Sequence, residues 1–485
     1  VTMIDFRPVL HIIGVILCLL AAAMLVPAAV DSLAGNGQWP VFIASGGITL
    51  VAGLGLVLGT RCDGRRPLSI RQAYLAAGLG WLAPSLFAAL PFALGSSALS
   101  GVDAFFEATS GLTTTGSTVI TSLDHMPAGL LLWRGLLQWL GGVGIVIMAI
   151  AVLPVLNVGG MQMFRVEVLS ARDRAAPRAA RIGSTLIAAY VGLTAVMALA
   201  LWLAGMNRLD AVVHAMSTIA TGGFSNHDSS MAFFDSATMD FIVFCGMVLG
   251  GMPFMAFFTL AQGDWRRVTA DQQLRWYLGL LLLSGLAITL WLIDVHHYGV
   301  WTALRHGMFT VASVMTGTGL TTVDYDGWAG MPLAILFLLT FVGGCAGSTA
   351  SGIKVFRFQL LFANAVVQIR QLLRPHAVMV PSFNTKPIPK DVLTSVMGFI
   401  FVYALSFAVL SMMLALLGLD FVTALSAAAS ALSNVGPGLG DIIGPGGSFA
   451  ELPDLAKLLL AGGMLFGRLE MVILLVICVP SFWKD

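Results

Sequence analysis

Charge is what this sequence has least of: Asp, Glu, Lys and Arg together make up 10% of 485 residues. Soluble domains carry about a quarter charged residues, so the shortage excludes a chain whose whole surface faces water. Cysteine is also sparse. The five cysteines, Cys18, Cys62, Cys245, Cys345 and Cys478, show no metal-ligand spacing and most lie in apolar runs, so they read as small buried hydrophobes rather than disulfides. The apolar stretches hold no paired acids, no histidine cluster and no nucleophile beside a base, which argues against an intramembrane enzyme. The net charge of +1 is uninformative as a total. Neither a nucleic-acid partner nor a tightly bound organic cofactor is expected.

What is present is apolar length. Hydrophobic residues reach 58% and mean hydropathy is +0.91, so long runs must face lipid and the chain reads as an integral membrane protein. The first run, from Val9 to Val30, is long enough to span and lacks a clean small-residue cleavage site, which predicts a retained helix. Spans of about twenty residues are expected near 9–30 and 40–60. Four pairs follow, at 70–94 with 130–156, 183–205 with 237–261, 276–297 with 331–371, and 392–418 with 454–480.

Between the members of each pair lies one glycine of a repeated unit: Gly116, Gly223, Gly319 and Gly436. Six residues before each stands a serine (Ser110, Ser217, Ser313, Ser430), three before each a small residue (Thr113, Ala220, Thr316, Ser433), and a double glycine follows in the next apolar run. Half-length apolar runs such as Asp103 to Leu112 and Thr423 to Leu432 are too short to cross a bilayer and suit re-entrant helices. The expected fold is an all-α membrane protein with two N-terminal transmembrane helices and then four helix, pore-loop, helix repeats, pseudo-fourfold around a central ion pore. The divisions are 1–66 for the N-terminal extension, 67–160, 161–265 and 266–380 for repeats one to three, and 381–485 for repeat four. In repeat three, 343–352 is a candidate gating loop.

A pore that strips water from a cation must replace it with inward carbonyls, held at backbone angles that residues with a Cβ rarely accept. The candidate filter is therefore Thr114, Thr115 and Gly116; Thr221, Gly222 and Gly223; Gly317, Thr318 and Gly319; and Asn434, Val435 and Gly436. Cations concentrate in loops that join repeats or break the third repeat's last helix: Arg61, Arg65, Arg66 and Arg71; Arg165, Arg172, Arg174, Arg178 and Arg181; Arg266, Arg267 and Arg275; and Lys354, Arg357, Arg370, Arg374, Lys386 and Lys390. The positive-inside rule puts these loops and both termini in the cytoplasm. The opposite loops carry mainly acids. Asp228, Asp324 and Asp441 each stand five residues after a filter glycine, and with Asp124 they are candidates to ring an outer vestibule that concentrates cations; the alternative is ordinary solvated loop acids.

On these residues the chain resembles the Trk/Ktr/HKT superfamily of potassium transporters over nearly its whole length, and within it the TrkH branch, which carries two extra helices before the first repeat. The resemblance implies a potassium-selective pore that also passes rubidium, with the four glycines matching the central glycine of the T-V-G-Y-G channel signature. It also implies a bacterial cytoplasmic-membrane homodimer, each protomer with its own pore in membrane lipid, and a cytosolic TrkA-type ring of nucleotide-binding regulatory subunits.

Two features suit a gate. Gly343, Gly344, Gly347, Ser348, Thr349 and Gly352 interrupt a span with residues that hold a helix poorly, and non-helical backbone at that depth is tolerated only where it lines a cavity. Lys354 follows near the expected cytoplasmic end. The other reading is a glycine hinge between crossing helices. Arg468 lies inside the last span, where an isolated charge is costly unless it faces water or a partner. Two residues from Glu470 on a helix, it would point to a different face; the resemblance implies that it projects into the pore below the filter. Glu107 and His214, nine residues before their glycines, are expected to brace the filter, and Arg134 is a weaker candidate. The function expected is gated potassium uptake. The alternative is a sodium- or proton-coupled secondary transporter, which usually shows inverted repeats with matching broken helices, whereas only the third repeat is expected to be broken here.

Overall fold

The computed structural model describes residues 4–60, 68–95, 99–151, 160, 176–384 and 386–484. The cations Arg61, Arg65, Arg66, Arg165, Arg172 and Arg174 lie outside the described residues. Helix dominates, as the long apolar runs require when no water is present to satisfy backbone groups. α1 (Arg7–Leu33) and α2 (Trp39–Gly59) pack as a hairpin, and α1 lies across α3 (Ile70–Ala88). Ser69 and Gln72 close a capping box at the start of α3. After α4 (Leu90–Leu94) come the short α5 (Gly101–Leu112) and the long α6 (Ala128–Ala151). The buried Asp31 of α1 accepts the Gly129 N–H at 2.7 Å, fixing the N-terminal hairpin to the positive end of α6.

The pattern recurs three times. α7 (Ala176–Leu203), the short α8 (Arg208–Ile219), and α9 (Ala237–Gly250) with α10 (Phe254–Ala261) make the second unit; a brief α11 (Trp265–Ala270) follows. α12 (Gln272–Asp294), α13 (Val300–Thr316), α14 (Met331–Val342) and α15 (Val355–Leu373) make the third, and a two-stranded hairpin of β1 (Ser382–Phe383) and β2 (Lys386–Pro387) leads out of it. α16 (Lys390–Leu416), α17 (Phe421–Ser433), α18 (Asp454–Arg468), α19 (Val472–Cys478) and α20 (Ser481–Lys484) complete the chain. Among the described residues seven helices are long and apolar enough to cross a membrane, or nine if each bent pair counts as one span. The chain is a multi-pass membrane protein. In α6, 72% of the apolar window is buried against 22% in α16, so α6 runs through the centre and α16 along the rim.

One expectation fails. Besides the interruption between α14 and α15, the second unit bends by 94° between α9 and α10, and the fourth by 112° between α18 and α19. Gly250-Gly251 and Pro253 explain the first bend, since proline cannot donate into a helix and glycine tolerates the turn. At the second, Glu470 and Met471 adopt φ of +58° and +40°.

Candidate functional site

The four short helices α5, α8, α13 and α17, of 12, 12, 17 and 13 residues, rise only about 1.5 Å per residue and cannot cross roughly 30 Å of hydrocarbon. Each ends in the same way. Thr114, Thr221, Gly317 and Asn434 take φ of +52°, +50°, +73° and +52°. The next N–H, of Thr115, Gly222, Thr318 and Val435, returns to the carbonyl of Ser110, Ser217, Ser313 and Ser430 at 2.8, 2.8, 2.8 and 3.1 Å. This is a Schellman ending. Threonine is β-branched and avoids positive φ, so its presence at two of these positions marks a conformation imposed by the surroundings.

Two residues further on, Gly116, Gly223, Gly319 and Gly436 have φ of +91°, +81°, +78° and +106°. A Cβ on Gly116 would lie 2.3 Å from the Gly222 oxygen, one on Gly223 1.8 Å from that of Thr318, one on Gly319 2.2 Å from that of Val435, and one on Gly436 2.8 Å from that of Thr115. Each loop meets the next, and the fourth closes on the first. Main-chain oxygens from four segments thus crowd together where no side chain fits. The C-terminal ends of four helices, where unsatisfied carbonyls carry partial negative charge, converge on the same place. Such an arrangement can replace the water around a small cation.

Buried side chains hold the loops from behind. Glu107 and Arg134 pair at 2.8 Å; Glu107 also accepts the Val119 N–H at 2.9 Å, and Arg134 donates to the Ser225 carbonyl at 2.7 Å while lying 4.1 Å from the Phe224 ring centroid. His214 Nε2 sits 3.0 Å from Ser225 Oγ. Ser430 Oγ accepts the Gly436 N–H at 3.1 Å and Ser313 Oγ donates to the Leu320 carbonyl at 2.6 Å. Asn434 Nδ2 donates to Thr115 Oγ1 at 2.8 Å, joining the fourth loop to the first.

The interruption between α14 and α15 lies against the second loop. Thr349 Oγ1 is 2.9 Å from the Ile219 carbonyl, 3.1 Å from that of Gly250 and 3.4 Å from Thr221 Oγ1. Gly343, Gly347 and Gly352 all have positive φ, and a Cβ at Gly343 would lie 2.1 Å from the Ser351 oxygen. Cys345 N–H reaches the Gly251 carbonyl at 2.9 Å, tying Gly344 and its neighbours to the bend of the second unit, and Ser348 Oγ donates to the Cys345 carbonyl at 2.6 Å. Arg468 donates to the Thr349 carbonyl at 3.1 Å and to Ser351 Oγ, with Trp81 beside it. Its Nε and Nη2 are buried with no hydrogen-bond partner among the described residues. Gly347, Ser348, Lys354, Tyr403, Arg468 and Glu470 help to line a cavity of about 30 Å³, room for little more than one water.

Lys354 is buried, with Nζ on the Ala350 carbonyl. One detail differs from expectation. Glu470 stands at a break rather than on a continuous helix, and its carboxylate is taken by Arg357.

Of the four acids expected at a vestibule, all are exposed, and three already bond within the loops. Asp124 lies 2.5 Å from His227 Nδ1, whose hydrogen bond holds its carboxyl below the usual range. Asp228 accepts the Leu123 N–H at 2.9 Å and Asp324 accepts that of Asp326 at 3.1 Å. Asp326 in turn accepts the Gly440 N–H at 3.0 Å, bridging loops three and four; burial and then Asp324 push its carboxyl up to about 6. Asp441 is not drawn into such a bond in the structure described.

Sequence reasoning passed over Gln138 and the tyrosines, and counted Arg357 among the loop cations, whereas it is fully buried in the first turn of α15. Gln138 and Arg134 are spaced four apart on one face of an otherwise apolar helix, which was a usable signal. Tyr190 donates to the Trp139 carbonyl at 3.0 Å and Tyr277 to that of Val248 at 3.2 Å, each beside the second glycine of a pair, Gly142 and Gly251.

The TrkH family, described as cation transport proteins, matches residues 40–484. The chain is 41% identical over 487 residues to the Trk system potassium uptake protein TrkI of Halomonas elongata, covering 100% of this chain and 98% of that one. It is 36% identical over 486 residues to the Trk system potassium uptake protein TrkH of Escherichia coli K12, covering 99% and 100%. The crystal structure of the potassium transporter TrkH from Vibrio parahaemolyticus matches with a TM-score of 0.92 at 36% identity, over 99% of this chain and 100% of that one.

Proposed function

The chain belongs to the TrkH family of cation transport proteins, and on that premise we propose that it carries potassium inward across the membrane along the axis ringed by Gly116, Gly223, Gly319 and Gly436. The observation that carries this reading is the closed cycle of close approaches from each glycine to the carbonyl before the next. Potassium is the substrate, dehydrated at the carbonyls of residues 114–116, 221–223, 317–319 and 434–436. The relatives named as Trk potassium uptake proteins support that choice of ion.

The mechanism follows from charge and position. Asp324, Asp441 and, above its raised pKa, Asp326 make the acidic end attractive to cations. Four helix C-termini favour a dehydrated cation at the ring. Below it, Thr349 and the guanidinium of Arg468 face an ion with a narrow and positively charged passage. Movement of residues 343–352 away from Ile219 and Thr221 opens it. On this reading the divisions at 66, 160, 265 and 380 separate the extension and four repeats, the chain sits as a homodimer in the bacterial inner membrane with both termini cytoplasmic, and a TrkA-type nucleotide-binding ring drives the loop.

The bends in the second and fourth units favour a second reading, a sodium- or proton-coupled carrier, because broken helices are common there. Rubidium flux into liposomes holding the full chain separates the two. A pore predicts flux that follows the rubidium gradient alone. A fixed stoichiometry with an imposed sodium or proton gradient would establish the carrier and overturn the pore.

A further inference from the structure

The second loop differs from the other three in what precedes its central glycine. Thr115, Thr318 and Val435 are β-branched, stiff residues, whereas Gly222 is a glycine followed by another. The peptide plane between Gly222 and Gly223 therefore has no Cβ on either side to resist its rotation. Its carbonyl oxygen is also the one that packs 2.3 Å from where a Cβ of Gly116 would be.

A side chain from the preceding unit supplies what the backbone lacks. Gln138, fully buried on α6, donates from Nε2 to the Gly222 carbonyl at 2.6 Å and accepts the Phe224 N–H on Oε1 at 3.1 Å. One planar amide thus satisfies both main-chain groups that flank Gly223. It also fills the space beside Gly222, where a Cβ would lie 2.4 Å from Gln138 Cδ. Among the described residues the carbonyls of Thr115, Thr318 and Val435 accept no hydrogen bond. Arg134, one turn earlier, holds Ser225 and Phe224, so α6 grips the loop from Gly222 to Ser225.

Resting on the filter reading above, we infer that Gln138 is a positioning residue for ion discrimination. It fixes the orientation of the Gly222 carbonyl, so the second loop coordinates as rigidly as the other three despite its paired glycines. A carbonyl released from this clamp can turn toward or away from the axis and adapt to a smaller cation, which erodes the preference for potassium over sodium.

The test is the ratio of rubidium to sodium flux in liposomes holding the full chain. Q138M keeps the volume and removes both hydrogen bonds; Q138E keeps the acceptor and, when ionised, removes the donor, so it is assayed at alkaline pH where the buried carboxyl is deprotonated. The ratio should fall roughly three- to tenfold in Q138M, the loss expected of one or two net hydrogen bonds, and should fall in Q138E as well. An unchanged ratio, or rubidium and sodium fluxes reduced by the same factor, overturns the inference, because a merely structural residue scales both ions together. If Q138M does not fold, Q138E decides on the same criterion. G223A is measured in parallel: if its ratio is intact the filter reading itself fails, whereas an altered ratio in G223A with an intact one in both Gln138 variants removes only Gln138.

Discussion

Arg357 and Glu470, 113 residues apart, meet as a buried ion pair that ties two helix breaks together. Arg357 stands in the first turn of α15, just after the interruption, with its guanidinium 3.8 Å from the Phe399 ring centroid. Glu470 stands between α18 and α19. Lys354 and Arg468 lie in the same buried layer, so these four residues hold three cations and one acid. The acid is taken by Arg357, which also donates to the Ile353 carbonyl at 2.9 Å, and on the proposed reading this leaves Arg468 to face the passage with no acid paired to it among the described residues.

Removing one member of a buried pair costs about 3–5 kcal/mol, whereas replacing both with apolar groups costs far less. Glu470→Leu and Arg357→Met should each lower thermal stability in detergent by an amount of that order. The double variant Arg357→Met, Glu470→Leu should lose clearly less than the sum. Additive losses would mean that the two residues are not energetically coupled.

Much of this site was legible because it makes demands on residue type at fixed spacing. A left-handed backbone in close contact with another chain segment accepts only glycine; the helix ending uses the main-chain carbonyls of Ser110, Ser217, Ser313 and Ser430, and Oγ has a use at Ser313, on Leu320, and at Ser430, on Gly436. The partner of Glu470 was not legible, because nothing local distinguishes Arg357 from any other basic residue of a span end. Nor was the bend at Glu470, which uses no glycine or proline. The bend in the second unit was different: Gly250-Gly251 with Pro253 carried its signal in the sequence, but the apolar run that continues past it read as one span.

Arg468 does two things that substitution can separate. On the proposed reading it places a positive charge on the passage, and it hydrogen-bonds the Thr349 carbonyl and Ser351. A unit charge a few ångströms from an ion in a medium of effective dielectric ~20 opposes it by a few kcal/mol, so Arg468→Ala should raise basal rubidium flux by about tenfold or more. Arg468→Lys keeps the charge and loses the fork. Low basal flux in Arg468→Lys assigns the barrier to charge; flux as high as in Arg468→Ala assigns it to the tether. No change in either variant would remove Arg468 from the mechanism.

On the proposed reading, Asp326 makes the acidic end respond to pH. Its native carboxyl releases its proton at about 6 because it is half buried and faces Asp324 and Asp441, despite the hydrogen bond from Gly440. An unfolded aspartate releases it near pH ~4. Between those values the native state binds more protons than the unfolded one, so stability is present at the lower end and is lost as pH rises through the window. Thermal stability of the purified protein, referred to Asp326→Asn, should therefore decline from about pH 4 to about pH 7. Transport should move the other way: as Asp326 ionises, the acidic end gains a negative charge, and rubidium uptake at subsaturating concentration should rise with pH in the native chain and stay flat in Asp326→Asn. Parallel pH profiles for the two proteins would show that the carboxyl titrates normally, and the bridge to Gly440 would then be a tie between loops with no electrostatic part in ion capture.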